Sequence, residues 1–163
     1  MRPKPEIRPA TRADLPALLG LIRELAEYEK LSHLVVNDEA LLERGLFGEG
    51  SRAEALVCIA GDRAVGMAIW SHNFSTFLGR KGLYLEDLYV QPGHRGQGLG
   101  KALLLALARI AHERGCGRFE WMVLDWNEPS IRFYESLGAV AMKEWRLFRV
   151  AGEALEKLAR LRD

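Results

Sequence analysis

The chain reads as a mixed α/β protein: a largely antiparallel central sheet, flanked by helices, with a βαβ unit inside it. Three observations predict this. Strand-like apolar runs at 54–60, 63–71 and 82–90 follow one another, as in an antiparallel meander. Amphipathic stripes of helical period stand before and after them. The element order is strand, two helices, three strands, helix, strand, helix, strand, helix.

Residues 5–9 (PEIRP) fit a short edge strand bounded by prolines. Thr11 and Asp14 have the spacing of a capping box. The helix that follows places Leu15, Leu18, Leu19, Ile22, Leu25 and Ala26 on one stripe and runs to about Glu29. A second helix is expected over 38–46, with Asn37 as cap and Gly48 beyond it. Residues 54–60 and 63–71 flank Gly61-Asp62, a tight-turn dipeptide, and form a hairpin. Residues 82–90 (GLYLEDLYV) add a third strand, stopped by Pro92-Gly93. A helix from Gly98 to Arg114 carries Leu99, Leu103, Ala106, Leu107 and Ile110 inward, and Gly115 ends it. Residues 118–125 are strand-like. Asn127 caps a short helix with Pro129 in its first turn. Residues 139–150 are expected to supply the last strand or strands, and a helix over 154–161 closes the chain.

The 163 residues suit one domain over 1–163, large enough for a core without metal or disulfide staples. Lys and Arg number 23 against 22 Asp and Glu, a net charge of +1, which argues against a nucleic-acid or acidic-membrane partner. At 48% hydrophobic and 28% charged residues, the composition excludes a disordered or fibrous chain. Cys58 and Cys116 stand far apart, and no Cys/His spacing suggests a metal site. The longest apolar run, 102–108, is too short to span a bilayer, and residues 1–10 lack a hydrophobic signal core. The expected location is cytoplasmic.

The most informative segment is QPGHRGQGLGK, 91–101, between a strand and a helix. Glycines at 93, 96, 98 and 100 let backbone amides approach a ligand. The helix start adds unpaired N–H donors and partial positive charge, so the turn suits a phosphate or pyrophosphate. Arg95 and Lys101 add full charges. A nucleotide-triphosphate loop would need Gly at Arg95 and Ser or Thr at Ala102, and a dinucleotide fingerprint begun at Gly96 would need Gly at Lys101. Both fail.

What remains, R-G-x-G-x-G after a strand ending Leu88-Tyr89-Val90, resembles the pyrophosphate loop of the GNAT superfamily of N-acetyltransferases, which bind acetyl-coenzyme A. The resemblance covers nearly the whole chain. IRPATRADLPALLGLIRELAEYEK (7–30), YLEDLYV (84–90), RGQGLGK (95–101), VLDWNEPSIRFYESLGA (123–139) and WRLF (145–148) are similar to the diamine (spermidine/spermine-type) acetyltransferases. Polyamine-acetylating members carry Asp-Pro-Trp before the YLED strand. Here Phe74-Ser75-Thr76-Phe77 stands instead, more like the thialysine acetyltransferase branch, as is VLDWN. The resemblance implies a GNAT fold with a βαβ coenzyme A-binding core, acetyl transfer to a small diamine, polyamine or lysine-like amine, and a homodimer with the C-terminal strand region as contact.

Acetyl transfer needs the amine to lose a proton and the leaving thiolate to gain one. An amine of pKa about 10 is mostly ammonium at neutral pH, and a carboxylate can bind it and help remove the proton, directly or through water. Glu86 and Asp87 lie mid-strand; neighbouring strand residues point to opposite faces, so they are not expected to share a task. The resemblance gives Glu86 acceptor binding and general-base work, with an ion pair to a nearby Arg as the alternative. Asp87 reads as a supporting carboxylate. Tyr134, seven residues after Asn127 and so on the same helix face, takes the general-acid role by resemblance, against a plain core aromatic.

Cofactor contacts are assigned to Arg95, Gly96, Gln97, Gly98, Leu99, Gly100, Lys101, Asn127, Ser130 and Tyr134. Leu88, Tyr89 and Val90 can pair their backbone with the pantetheine amides if the sheet opens there. Tyr28 and Glu29 match acceptor positions of the family, and Glu120, Trp121 and Met122 are candidates for lining the acceptor side. A non-catalytic acyl-coenzyme A-binding module and a protein lysine or N-terminal acetyltransferase are the alternatives.

Overall fold

The structure, a computed structural model, describes residues 5–161. The leader reading rests in part on residues 1–4, which lie outside the described residues. The chain forms two compact units, one ending at Leu124 and one beginning at Asp125.

In the first unit, β1 (Glu6–Pro9), β2 (Ala53–Ala60), β3 (Arg63–Ser75), β4 (Arg80–Val90) and β5 (Phe119–Trp121) form one sheet in that order. The first four pair antiparallel, whereas β5 joins β4 in parallel. A parallel neighbour requires a crossover, supplied by α3 (Leu99–Glu113), so β4–α3–β5 is the expected βαβ unit. α1 (Leu15–Tyr28) and α2 (Glu39–Phe47) precede the meander. Leu15, Leu18, Leu19 and Leu21 of α1 and Leu42 of α2 form one core with Ala55, Val57, Met67, Ile69 and Tyr89 of the sheet. Ile22 and Leu25 pack against that core from α1, as their spacing requires.

Entry into α1 is fixed by charge. Arg8 donates both arms of its guanidinium to the Asp14 carboxylate, at 2.8 and 2.9 Å, and the Thr11 amide donates to it at 2.7 Å. These donors hold the Asp14 carboxyl down at about 2, mainly through Arg8.

Four boundaries differ from expectation. Asp38 rather than Asn37 caps α2, accepting from the Leu41 amide at 2.8 Å. The buried stripe of α3 is Leu99, Leu103, Leu104, Leu107 and Ala111, with Ala106 and Ile110 at its margin. β5 stops at Trp121 instead of running to 125. Residues 139–150 form no strand. A strand needs an unpaired neighbour, and the second unit offers none among its described residues. Val140, Met142, Trp145, Leu147 and Phe148 therefore stay exposed.

The second unit contains α4 (Glu128–Ser136) and α5 (Glu153–Ala159). Among the described residues no helix is long and apolar enough to cross a membrane.

Candidate active site

The turn after β4 is built by left-handed glycines. A short 3-10 turn spans Pro92–His94, then Gly96 and Gly98 adopt φ of 72° and 78°. Side chains carrying a Cβ avoid this region, which accounts for glycine at both places. Gly98 is the N-cap of α3 and its carbonyl accepts the Ala102 amide. The amides of 96–101 thus remain without an acceptor among the described residues, as an anion site at a helix start requires. Gln97, Leu99, Gly100 and Lys101 all contribute such donors.

Beside this turn the sheet is open. β5 pairs only with Leu83, Tyr84 and Leu85 of β4, leaving the Glu86–Val90 edge facing away from β3 without a strand partner among the described residues. Leu88 and Val90 turn their backbone groups toward this open edge, where the Val90 carbonyl also accepts from Arg95, and can meet an extended amide chain; Tyr89, paired with Met67, turns its own toward β3. A pantetheine arm with a diphosphate at its end fits this pairing of open edge and free amides.

β4 carries a bulge at the same place. Ile69 opposes Asp87 and Trp70 opposes Leu85, so Glu86 is an extra residue in the ladder. The bulge interrupts the alternation on which separate tasks for Glu86 and Asp87 were expected. Glu86 is exposed and Asp87 half-buried. Burial, then the charges of Glu86 and Glu29, push the Asp87 carboxyl up to about 6. Burial also raises Glu29, just beyond the end of α1. The sequence casts Asp87 in a supporting role; the bulge beside it is a property of pairing and not of periodicity.

Arg95 ties the turn to the end of α1. Its Nε donates to the Val90 carbonyl at 2.8 Å, and its guanidinium lies 5.0 Å from the Tyr28 ring centre and 5.4 Å from that of Tyr89. Arg95 covers Tyr28, and Glu29, the next residue, is near enough for its charge to act on Asp87 beside Glu86.

The remaining candidates on β5 are otherwise occupied. Glu120 pairs with Arg118 at 2.9 Å and accepts from Asn73 at 3.1 Å, while Trp121 packs edge-on against Phe119. Met122 is exposed. In the second unit Asn127 caps α4, its side chain accepting from the Ser130 amide at 3.4 Å. Tyr134 is half-buried on α4, its ring 5.3 Å from that of Phe133.

Comparison with known proteins agrees with this geometry. The chain is 41% identical to a thialysine N-epsilon-acetyltransferase of Mus musculus over 94% of its length and 96% of the relative. It is 32% identical to an L-ornithine N5-acetyltransferase of Arabidopsis thaliana, over 95% of this chain and 88% of that one. Among solved structures, an integron cassette protein from the mobile metagenome of V. cholerae superposes with a TM-score of 0.81 at 28% identity, covering 96% of this chain and 98% of the other. The acetyltransferase (GNAT) family matches residues 20–139. With the mixed sheet, the crossover helix and the glycine-rich turn in place, the chain belongs to the acetyltransferase (GNAT) family.

Proposed function

We propose that this acetyltransferase moves an acetyl group from acetyl-coenzyme A to a primary amine of a lysine-like amino acid or small diamine, by direct attack in a ternary complex. The observation that carries this reading is the carboxylate group Glu29, Glu86 and Asp87, gathered at the β4 bulge next to an open strand edge and unpaired amides. Three acidic groups suit an ammonium acceptor. The similarity to the mouse thialysine and the plant ornithine enzymes supports the same acceptor class.

Acetyl-coenzyme A supplies the activated thioester. The amides of 96–101, with Arg95 and Lys101, hold the diphosphate end, and the backbone of Leu88 and Val90 aligns the arm. Glu86 and Glu29 bind the incoming ammonium. Asp87, with a carboxyl near 6, takes its proton directly or through water. Tyr134 is assigned the proton donated to the leaving thiolate, and Asn127 and Ser130 contacts to the coenzyme arm, by resemblance to the family. Much of the acceleration is positioning.

The two units are read as one N-acetyltransferase domain, because the family match runs across the division at Asp125. A homodimer joined through 139–150 accounts for the exposed apolar side chains of that segment; light scattering tests it. Two free thiols suit a reducing, cytoplasmic setting.

Coenzyme A release measured with 1,3-diaminopropane, spermidine, thialysine, lysine, ornithine and a lysine peptide tests the reading. Turnover with the small amines supports it. Cofactor binding without turnover would indicate a binding module, and turnover with the peptide alone a protein acetyltransferase.

A further inference from the structure

α1 meets the glycine-rich turn at two points. Glu24 and Tyr28 stand one helical turn apart on α1 and so share a face of the helix. The Glu24 carboxylate accepts from the Gln91 side chain at 2.9 Å, and the Tyr28 ring centre lies 5.0 Å from the Arg95 guanidinium. Gln91 and Arg95 flank the short 3-10 turn Pro92–His94, one on each side. Within it the His94 amide donates to the Gln91 carbonyl at 2.9 Å and the Arg95 amide to the Pro92 carbonyl at 3.2 Å. Burial raises the Tyr89 phenol first, the charge of Glu24 and hydrogen bonding to it next, while Arg95 lowers it; the phenol thus stands close to both.

The segment that follows is the one that needs holding. Gly96 and Gly98 sit at φ of 72° and 78°, and glycine loses more backbone freedom than any other residue when it is fixed. Order lent to the turn before the cofactor arrives is order that binding need not supply. The charge of Glu24 has no such use. It is an anion beside a turn suited to a diphosphate, so by Coulomb's law alone it opposes the cofactor. What Glu24 contributes there is its bond to Gln91.

We propose that Glu24 is a positioning residue for the cofactor: through Gln91, and with Tyr28 against Arg95, it clamps both ends of the turn 91–95 and presets the amides of 96–101 for the diphosphate. In this role Glu24 touches neither the cofactor nor the acceptor. Its contribution is to the affinity for acetyl-coenzyme A and not to the chemical step. The inference rests on the acetyltransferase reading above and adds to it a residue outside the turn itself.

Calorimetric titration with acetyl-coenzyme A, joined to initial-rate kinetics at saturating amine, tests it. Glu24→Ala is expected to bind acetyl-coenzyme A about tenfold more weakly, the scale of one charge-assisted bond, with KM raised in step and kcat unchanged. Glu24→Gln still offers Gln91 an acceptor and removes the charge, so it is expected to stay within about threefold of the wild type. Gln91→Ala should match Glu24→Ala, and the double variant should bind no more weakly than either alone, because all three lack the same bond. Glu27→Ala removes the same charge from an exposed position of α1 and is expected to bind as the wild type does. Binding that is unchanged or tighter in Glu24→Ala, losses that add in the double variant, or a fall in kcat at constant KM overturns the clamp and leaves the acetyltransferase reading standing. No uptake of acetyl-coenzyme A by the wild-type chain overturns the acetyltransferase reading itself.

Discussion

The guanidinium of Arg95 lies 5.0 Å from the centre of the Tyr28 ring, so the glycine-rich turn rests on the last residue of α1. In the proposed function the turn serves the cofactor and the end of α1 the acceptor. Because Arg95 also bonds the Val90 carbonyl and covers Tyr89, one side chain fixes the turn, the strand end and the helix end together.

Replacing Arg95 with Ala is expected to raise the KM for acetyl-coenzyme A about tenfold, the worth of a cation–π contact with its hydrogen bond. Lys at this position should rescue little, since an ammonium cannot reproduce a planar group laid across two rings. Initial-rate kinetics at fixed acceptor decide it. A full rescue by Lys would mean that charge alone matters.

Gly98→Ala separates backbone conformation from contact. A Cβ there meets nothing within 4 Å, so its cost comes from φ of 78° alone, about 1 kcal/mol. The expected result is a modest fall in stability by denaturant titration together with weaker calorimetric binding of acetyl-coenzyme A. Unaltered binding would contradict the role given to the turn.

Much of this was legible in the sequence. The stripe of α1, the hairpin at Gly61-Asp62 and the strand–glycine–helix order at 82–114 are local patterns, and local patterns reach the fold when nothing competes with them. The bulge at Glu86 was not legible, because it depends on how β3 and β4 pair. The same holds for 139–150: its apolar residues read as a strand, but a strand also needs a neighbour, which no local pattern supplies.

Asp14 should act as an acid-sensitive fastener. Its carboxyl is held at about 2 against an ordinary 3.8, so its contribution is present above about pH 4 and is lost as pH falls toward 2. Asp14→Asn is expected to cost about 2 kcal/mol at pH 7, and less as the pH falls toward 2. Thermal melts across that range check this.

Asp87 has the opposite sign. Its carboxyl is raised from 3.8 to about 6, so the fold binds its proton more tightly than the unfolded chain does. That stabilisation is present below about pH 4 and is lost as pH rises through about 6. At pH 7 Asp87→Asn should therefore raise stability, by up to about 3 kcal/mol, while lowering activity. A higher Tm with a lower kcat is the expected pair of results; a lower Tm would mean that the ionised carboxylate has a structural partner.

The most direct test is the pH dependence of kcat/KM with a lysine-like acceptor. If Asp87 accepts the ammonium proton, kcat/KM climbs with unit slope to a plateau as pH passes about 6, and the limb disappears from the residual activity of Asp87→Asn. An unchanged limb in that variant, or undiminished turnover, would contradict the account.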